Sequence, residues 1–174
     1  MDEQEKLAQF EQSIMPHLDA AYNLARWLTR NDPDAQDVVQ DAYLRAFKFF
    51  GGFRGGNSRS WLLRIVRNAF YDWLKQNRSE EVMTPFDEKL HDTPEEKESP
   101  DASLLAKADH EMLLQAIAAL PVEFREILVL REMERFSYKE IADVVGVPIG
   151  TVMSRLARGR EHLRNLLLPR LEIT

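Results

Sequence analysis

Apolar positions along this chain recur at steps of three and four, the period of a helix buried on one side, and show no strand-like alternation. The pattern predicts a helix over Phe10–Leu28, punctuated by Asp32-Pro33. A second follows from about Asp34 to Phe50, with Val38, Ala42, Tyr43, Phe47 and Phe50 as its core side. Phe50–Arg59 (FGGFRGGNSR) is too rich in glycine for either element and reads as a loop. Trp61 to about Asn77 predicts a third helix, burying Trp61, Leu62, Ile65, Ala69 and Trp73. Residues 79–101 then carry Pro85, Pro94 and Pro100 and no sustained period. Helical spacing resumes near Ser103–Ala119, again after Leu120-Pro121, and in a closing pair. The predicted fold is all-α: two small helical domains, residues 1–78 and 102–174, joined by an acidic flexible linker over 79–101.

The closing pair is the most specific part of the pattern. Ser137 and Glu140 stand at capping-box spacing and place a helix start there. Ile141, Val144 and Val145 form its apolar face, and Gly146 ends it. Pro148 lacks a backbone donor and fixes φ, which suits the first position of the next helix. On that helix Val152, Leu156 and Leu163 fall on one side. Thr151, Ser154, Arg155, Arg158 and His162 fall on the other, with Arg160 and Arg164 on the flank. A helix of this kind fits the major groove, where arginine grips guanine and serine or threonine reaches base edges or phosphate. An amphipathic surface helix would share the basic face but would not explain the break and restart at Gly146. The segment reads as a DNA-binding helix-turn-helix.

A net charge of −6 runs against that reading until it is divided along the chain. Residues 79–101 hold nine carboxylates and two lysines. Residues 54–78 hold six Lys or Arg and one Asp, and residues 151–170 hold five Arg and one Glu. The basic charge therefore sits in two compact blocks, each an electrostatic footprint for nucleic acid. The chain has no cysteine, which excludes disulfides, a thiol nucleophile and most zinc sites. Its four histidines share no metal-ligand spacing, and no phosphate-binding loop or nucleophile motif occurs. No catalytic residue, metal or cofactor is expected. A nuclease built on the linker carboxylates would lack the rigid frame such groups need. No apolar run approaches the roughly 20 residues of a membrane span, and the acidic start MDEQEKLAQFEQ is unlike a signal peptide. A cytoplasmic protein without membrane insertion is expected.

The first basic block lies on the third helix. Arg64, Arg67, Tyr71, Lys75 and Arg78 recur at steps of three or four opposite the apolar face, with Asn68 beside them. Such a stripe can track a phosphate backbone, and its tyrosine can stack on an unpaired base. Taken alone it fits a solvated face equally well. Ahead of it, Arg54, Asn57, Ser58 and Arg59 put polar and cationic groups on a flexible backbone at a helix N-terminus. That is a setting for anionic or polar ligands, or for a base turned out of its stack. By itself it also reads as a simple glycine-rich connection. Asp37, Gln40 and Asp41 lie on a polar face of the second helix and, from their own neighbourhood, read as solvated surface.

Taken together, these segments resemble bacterial sigma factors of the sigma-70 family, specifically the compact extracytoplasmic-function (ECF) group. The resemblance rests on DAQDVVQDAYLRAF, FRGGNSRSWLLRIVRNAFYDWL and LPVEFREILVLREMERFSYKEIADVVGVPIGTVMSRLARGREHLR, in that order. It implies a non-catalytic factor that binds core RNA polymerase and promoter DNA, with an anti-sigma factor as a further partner. It also implies polymerase contact for Asp37, Gln40 and Asp41, and base capture by the Arg54–Arg59 loop. Arg64, Arg67, Asn68, Tyr71 and Lys75 would meet the melted −10 element, and Thr151, Ser154, Arg155, Arg158 and Arg160 the −35 element. The chain departs from many relatives at Met153 and Ala157, where they carry a basic and a larger residue. A sigma-like decoy for an anti-sigma factor would usually carry a receiver domain, which this sequence does not lead one to expect, and would not need Arg155 and Arg158. An ordinary helix-turn-helix regulator would leave the Arg64–Arg78 stripe and the glycine-rich loop unexplained.

Overall fold

The first apolar stretch folds as two helices. In the computed structural model of the protein, which describes residues 2–77 and 110–172, α1 (Glu3–Ile14) is capped by Asp2, whose carboxylate accepts from the Glu5 N–H at 2.8 Å. A 3₁₀ turn over Met15–His17 separates it from α2 (Leu18–Thr29). Pro16 is the reason: it has no N–H to donate, and its ring crowds the preceding turn. Arg30 ends α2 in the left-handed region at φ 66°. Asn31 then caps α3 (Asp32–Phe49) by accepting from the Asp34 N–H at 2.8 Å. After the loop comes α4 (Ser58–Asn77). Helices α2, α3 and α4 pack pairwise, and α1 lies against α4. Phe10 is fully buried and takes the rings of Tyr43, Phe47 and Phe50 edge-on at 5.1, 5.3 and 5.5 Å. Burying one such ring contributes about 1.5–3 kcal/mol, and this cluster fixes α1 to the end of α3.

The second set of helices begins with α5 (His110–Ala118) and α6 (Val122–Leu128), which runs into a π-helical turn over Val129–Met133. Next are α7 (Tyr138–Val145) and the long α8 (Ile149–Glu172). The loop before α7 is closed by Arg131, which donates to the Phe136 carbonyl at 2.8 Å and lies 4.4 Å over the Tyr138 ring. Helices α5 and α6 pack on α8. The crossing with α6 occurs at Gly159, where an added Cβ would stand 3.4 Å from Phe124 and Leu128. Val152, Leu156, Leu163 and Leu167 carry the buried face of α8. The chain divides into two compact units, one holding α1–α4 and the other the bulk of α5–α8. The described residues contain no strand, as the all-α expectation requires. The predicted linker, Arg78 and residues 103–109 of the predicted fourth helix lie outside the described residues.

Candidate polymerase and nucleic-acid interfaces

On α3 the 3.6-residue period separates core from surface. Ala35, Val38, Ala42 and Ala46 are buried, while Asp37, Gln40 and Asp41 are exposed along one face. Leu44 continues that face one turn on and is 60% exposed, unusual for a large apolar side chain. Arg45 bonds Asp41 within the helix at 3.0 Å and Asp72 on α4 at 2.8 Å. Burial works against its charge, but the two carboxylates outweigh that and raise its pKa.

The loop into α4 is held at both ends. Phe53 stacks on Phe50 at 5.8 Å and meets Trp61 at 5.1 Å. Gly55 and Gly56 then take φ of 86° and 88°, a conformation open to glycine and strained for other residues. Asn57 is the helix cap: its side-chain oxygen accepts from the Ser60 N–H at 3.0 Å, and its carbonyl from the Trp61 N–H at 3.1 Å. Ser58 Oγ bonds His17 Nε2 at 3.1 Å. Burial, and then the Arg59 charge, hold the His17 pKa below its ordinary value. Arg54 is exposed and Arg59 half-buried.

The buried face of α4 is centred on Leu63, Val66 and Phe70, flanked by Leu62, Ala69 and Leu74. Trp61, Ile65 and Trp73 are only half-buried, a correction to the face expected from helical spacing. Arg64, Asn68 and Lys75 are exposed; Arg67 and Tyr71 are half-buried, the Arg67 guanidinium 4.5 Å over the Tyr71 ring. That stacking occupies one face of the tyrosine. Trp61, Arg64, Ile65 and Asn68 line an open groove of about 640 Å³ together with Lys6 from α1, Lys48 and Phe49 from α3, and Gly51 and Gly52. Lys6, Lys48 and Phe49 were not among the residues expected from sequence. Only Phe49, apolar and 57% exposed beside the core residue Phe50, left a local trace.

In the second unit the capping box forms reciprocally. Ser137 Oγ accepts from the Glu140 N–H at 3.1 Å, and the Ser137 N–H donates to Glu140 Oε1 at 2.9 Å. Gly146 turns the chain at φ 78°. The Pro148 carbonyl accepts from the Thr151 and Val152 N–H groups, so Pro148 caps α8 from just outside it. Thr151, Arg155 and Arg158 are half-buried on α8, and Arg158 stands 3.9 Å from Glu161. Two expected members of the set are placed otherwise. Ser154 is 9% exposed, its short side chain reaching less far than the arginines around it. Arg160 lies about 140° around the helix from Arg155 and pairs with Glu132 at 3.2 Å. His162 rests on the Phe124 ring at 4.7 Å.

The helix-turn-helix unit and the separate helical unit with a basic face define an all-α protein of the nucleic-acid-binding class. Two family models match it: Sigma-70 region 2 over residues 14–80 and Sigma-70, region 4 over residues 110–163. The ECF RNA polymerase sigma factor SigM of Mycobacterium tuberculosis is 37% identical over 161 residues, covering 91% of this chain and 76% of that protein. SigE of Mycolicibacterium smegmatis is 33% identical over 165 residues, 95% of this chain; the chain spans 64% of that relative's length. Among solved structures, the sigma factor RpoE in complex with the anti-sigma factor NepR from Bartonella quintana matches with a TM-score of 0.68. Its identity is 27%, over 91% of this chain and 96% of that one. The chain belongs to the ECF sigma factors of the sigma-70 family, which direct transcription initiation at promoters.

Proposed function

We propose that this chain docks on core RNA polymerase through Asp37, Gln40 and Asp41, opens the −10 element with α4 and its preceding loop, and reads the −35 element with α8. The observation that carries the reading is the groove beside α4. It gathers Lys6, Lys48 and Arg64 around Trp61 and Phe49, so cations for phosphate and rings for an unstacked base meet in one place. Arg54, Asn57, Ser58 and Arg59 form its approach, with Asn57 holding the helix start while Arg54 and Arg59 supply charge. Arg67, Tyr71 and Lys75 continue the strand-binding surface.

On α8, Thr151, Arg155 and Arg158 make the −35 contacts, while Ser154 and Arg160 hold the helix in place. The factor is non-catalytic: polymerase performs phosphoryl transfer, and this chain supplies promoter choice and strand opening. An anti-sigma factor is its regulatory partner, and it works in the cytoplasm on the nucleoid. The acidic stretch 79–101 lies in sequence between the two units. Run-off transcription with purified bacterial core polymerase over a pool of promoter fragments tests the reading. Specific start sites that depend on this protein and vanish in R155A/R158A support it. Absence of core binding would return the chain to the decoy or regulator class.

A further inference from the structure

Asp41 shares its cation with another helix. Arg45, one turn along α3, reaches Asp41 with Nη2 at 3.0 Å and Asp72 of α4 with Nη1 at 2.8 Å. One guanidinium thus serves two carboxylates, so neither is fully neutralised. All three groups are partly open to solvent: the Arg45 side chain is 32% exposed, those of Asp41 and Asp72 50% and 53%. Asp72 lies on the helix that carries the strand-binding stripe, not on the acidic face of α3.

We propose that Asp72 is a positioning residue for polymerase docking: by drawing one arm of Arg45 across to α4, it keeps the Asp41 carboxylate available to polymerase. This rests on the reading of Asp41 as a polymerase contact. The guanidinium is a planar fork able to grip a single carboxylate with two parallel N–H groups. Divided between two carboxylates, it gives each one arm. Without the Asp72 charge both arms fall to Asp41, which stands at the favourable i,i+4 distance on the same helix. Asp41 would then be neutralised and its oxygens occupied before polymerase arrives. Conversely, once polymerase engages Asp41, Arg45 is released to Asp72 and the α3–α4 clasp tightens.

The test is an anisotropy titration of the full chain with core polymerase, using the wild type, D41N, D72N, D41N/D72N, R45Q and R45Q/D72N. D72N should weaken core binding about two- to fivefold, the scale of an exposed ion pair. The same change should add less than about 1.5-fold in the D41N background, within ordinary additivity. R45Q/D72N should recover wild-type affinity, because no guanidinium remains to mask Asp41. A plain α3–α4 brace would behave differently: D72N would cost as much with or without Asp41, and R45Q would deepen the loss. Either result overturns the proposal while leaving the docking face intact. An inert D41N would withdraw the docking reading, and the proposal with it.

Discussion

Arg155 and Arg160 stand five positions apart on one helix and face different sides of it. Arg160 is tied to Glu132 at 3.2 Å, bridging the π-helical turn after α6 to α8. R160A should lower stability by about 0.2–1 kcal/mol and shift the urea midpoint, while leaving the preferred −35 sequence unchanged. R155A should instead relax base preference at one promoter position, by about 1–3 kcal/mol if its contact is bidentate. Footprinting over a randomised −35 element separates the two. His17 offers a pH-dependent counterpart. Its folded pKa is depressed, first by burial and then by Arg59, so the unfolded chain binds the proton more readily. The stabilisation is complete above the unfolded value of about 6.5 and is lost as pH falls toward the lowered folded value. Urea midpoints between pH 7.5 and 5.5 should therefore fall more for the wild type than for H17Q. Parallel slopes would remove His17 from the account.

At the scale of elements, Phe10 is the hinge of the first unit's organisation. It is fully buried among Tyr43, Phe47 and Phe50, and the helix that carries it also carries Lys6 into the groove. F10A should cost about 3–5 kcal/mol in a denaturant melt and weaken −10 strand binding at temperatures where the domain is still folded. What the sequence disclosed about these elements follows the range of the forces involved. The capping box at Ser137–Glu140 and the turn at Gly146 are local, and both form where the spacing places them. The break at Pro16 was hidden by an apolar period that continues on either side of it. Helical spacing alone puts Trp61, Ile65 and Trp73 on the buried face of α4, whereas packing against α2 and α3 centres it on Leu63, Val66 and Phe70. Lys6 was illegible as a groove residue because its neighbours lie more than forty positions away. Arg160 looked like one more cation on a basic helix because its partner Glu132 is 28 positions away.

For the whole molecule, charge is distributed so that the acidic stretch 79–101 lies in sequence between the two basic blocks. Changing its nine carboxylates to amides should raise the affinity of the free protein for promoter DNA, measured by mobility shift without polymerase. Unchanged affinity would show that this stretch does not compete for the basic faces. The Glu132–Arg160 pair carries a further consequence, for ions in solution. DNA sheds condensed counterions only for the phosphates that a bound protein neutralises, so log K falls with log[salt] by about 0.9 per phosphate contacted. An arginine already matched to a carboxylate of its own chain adds nothing to that count. Binding by α8 should thus show a shallower slope than the number of arginines in its sequence suggests. E132Q, by releasing Arg160 to a phosphate, should steepen the slope by about one.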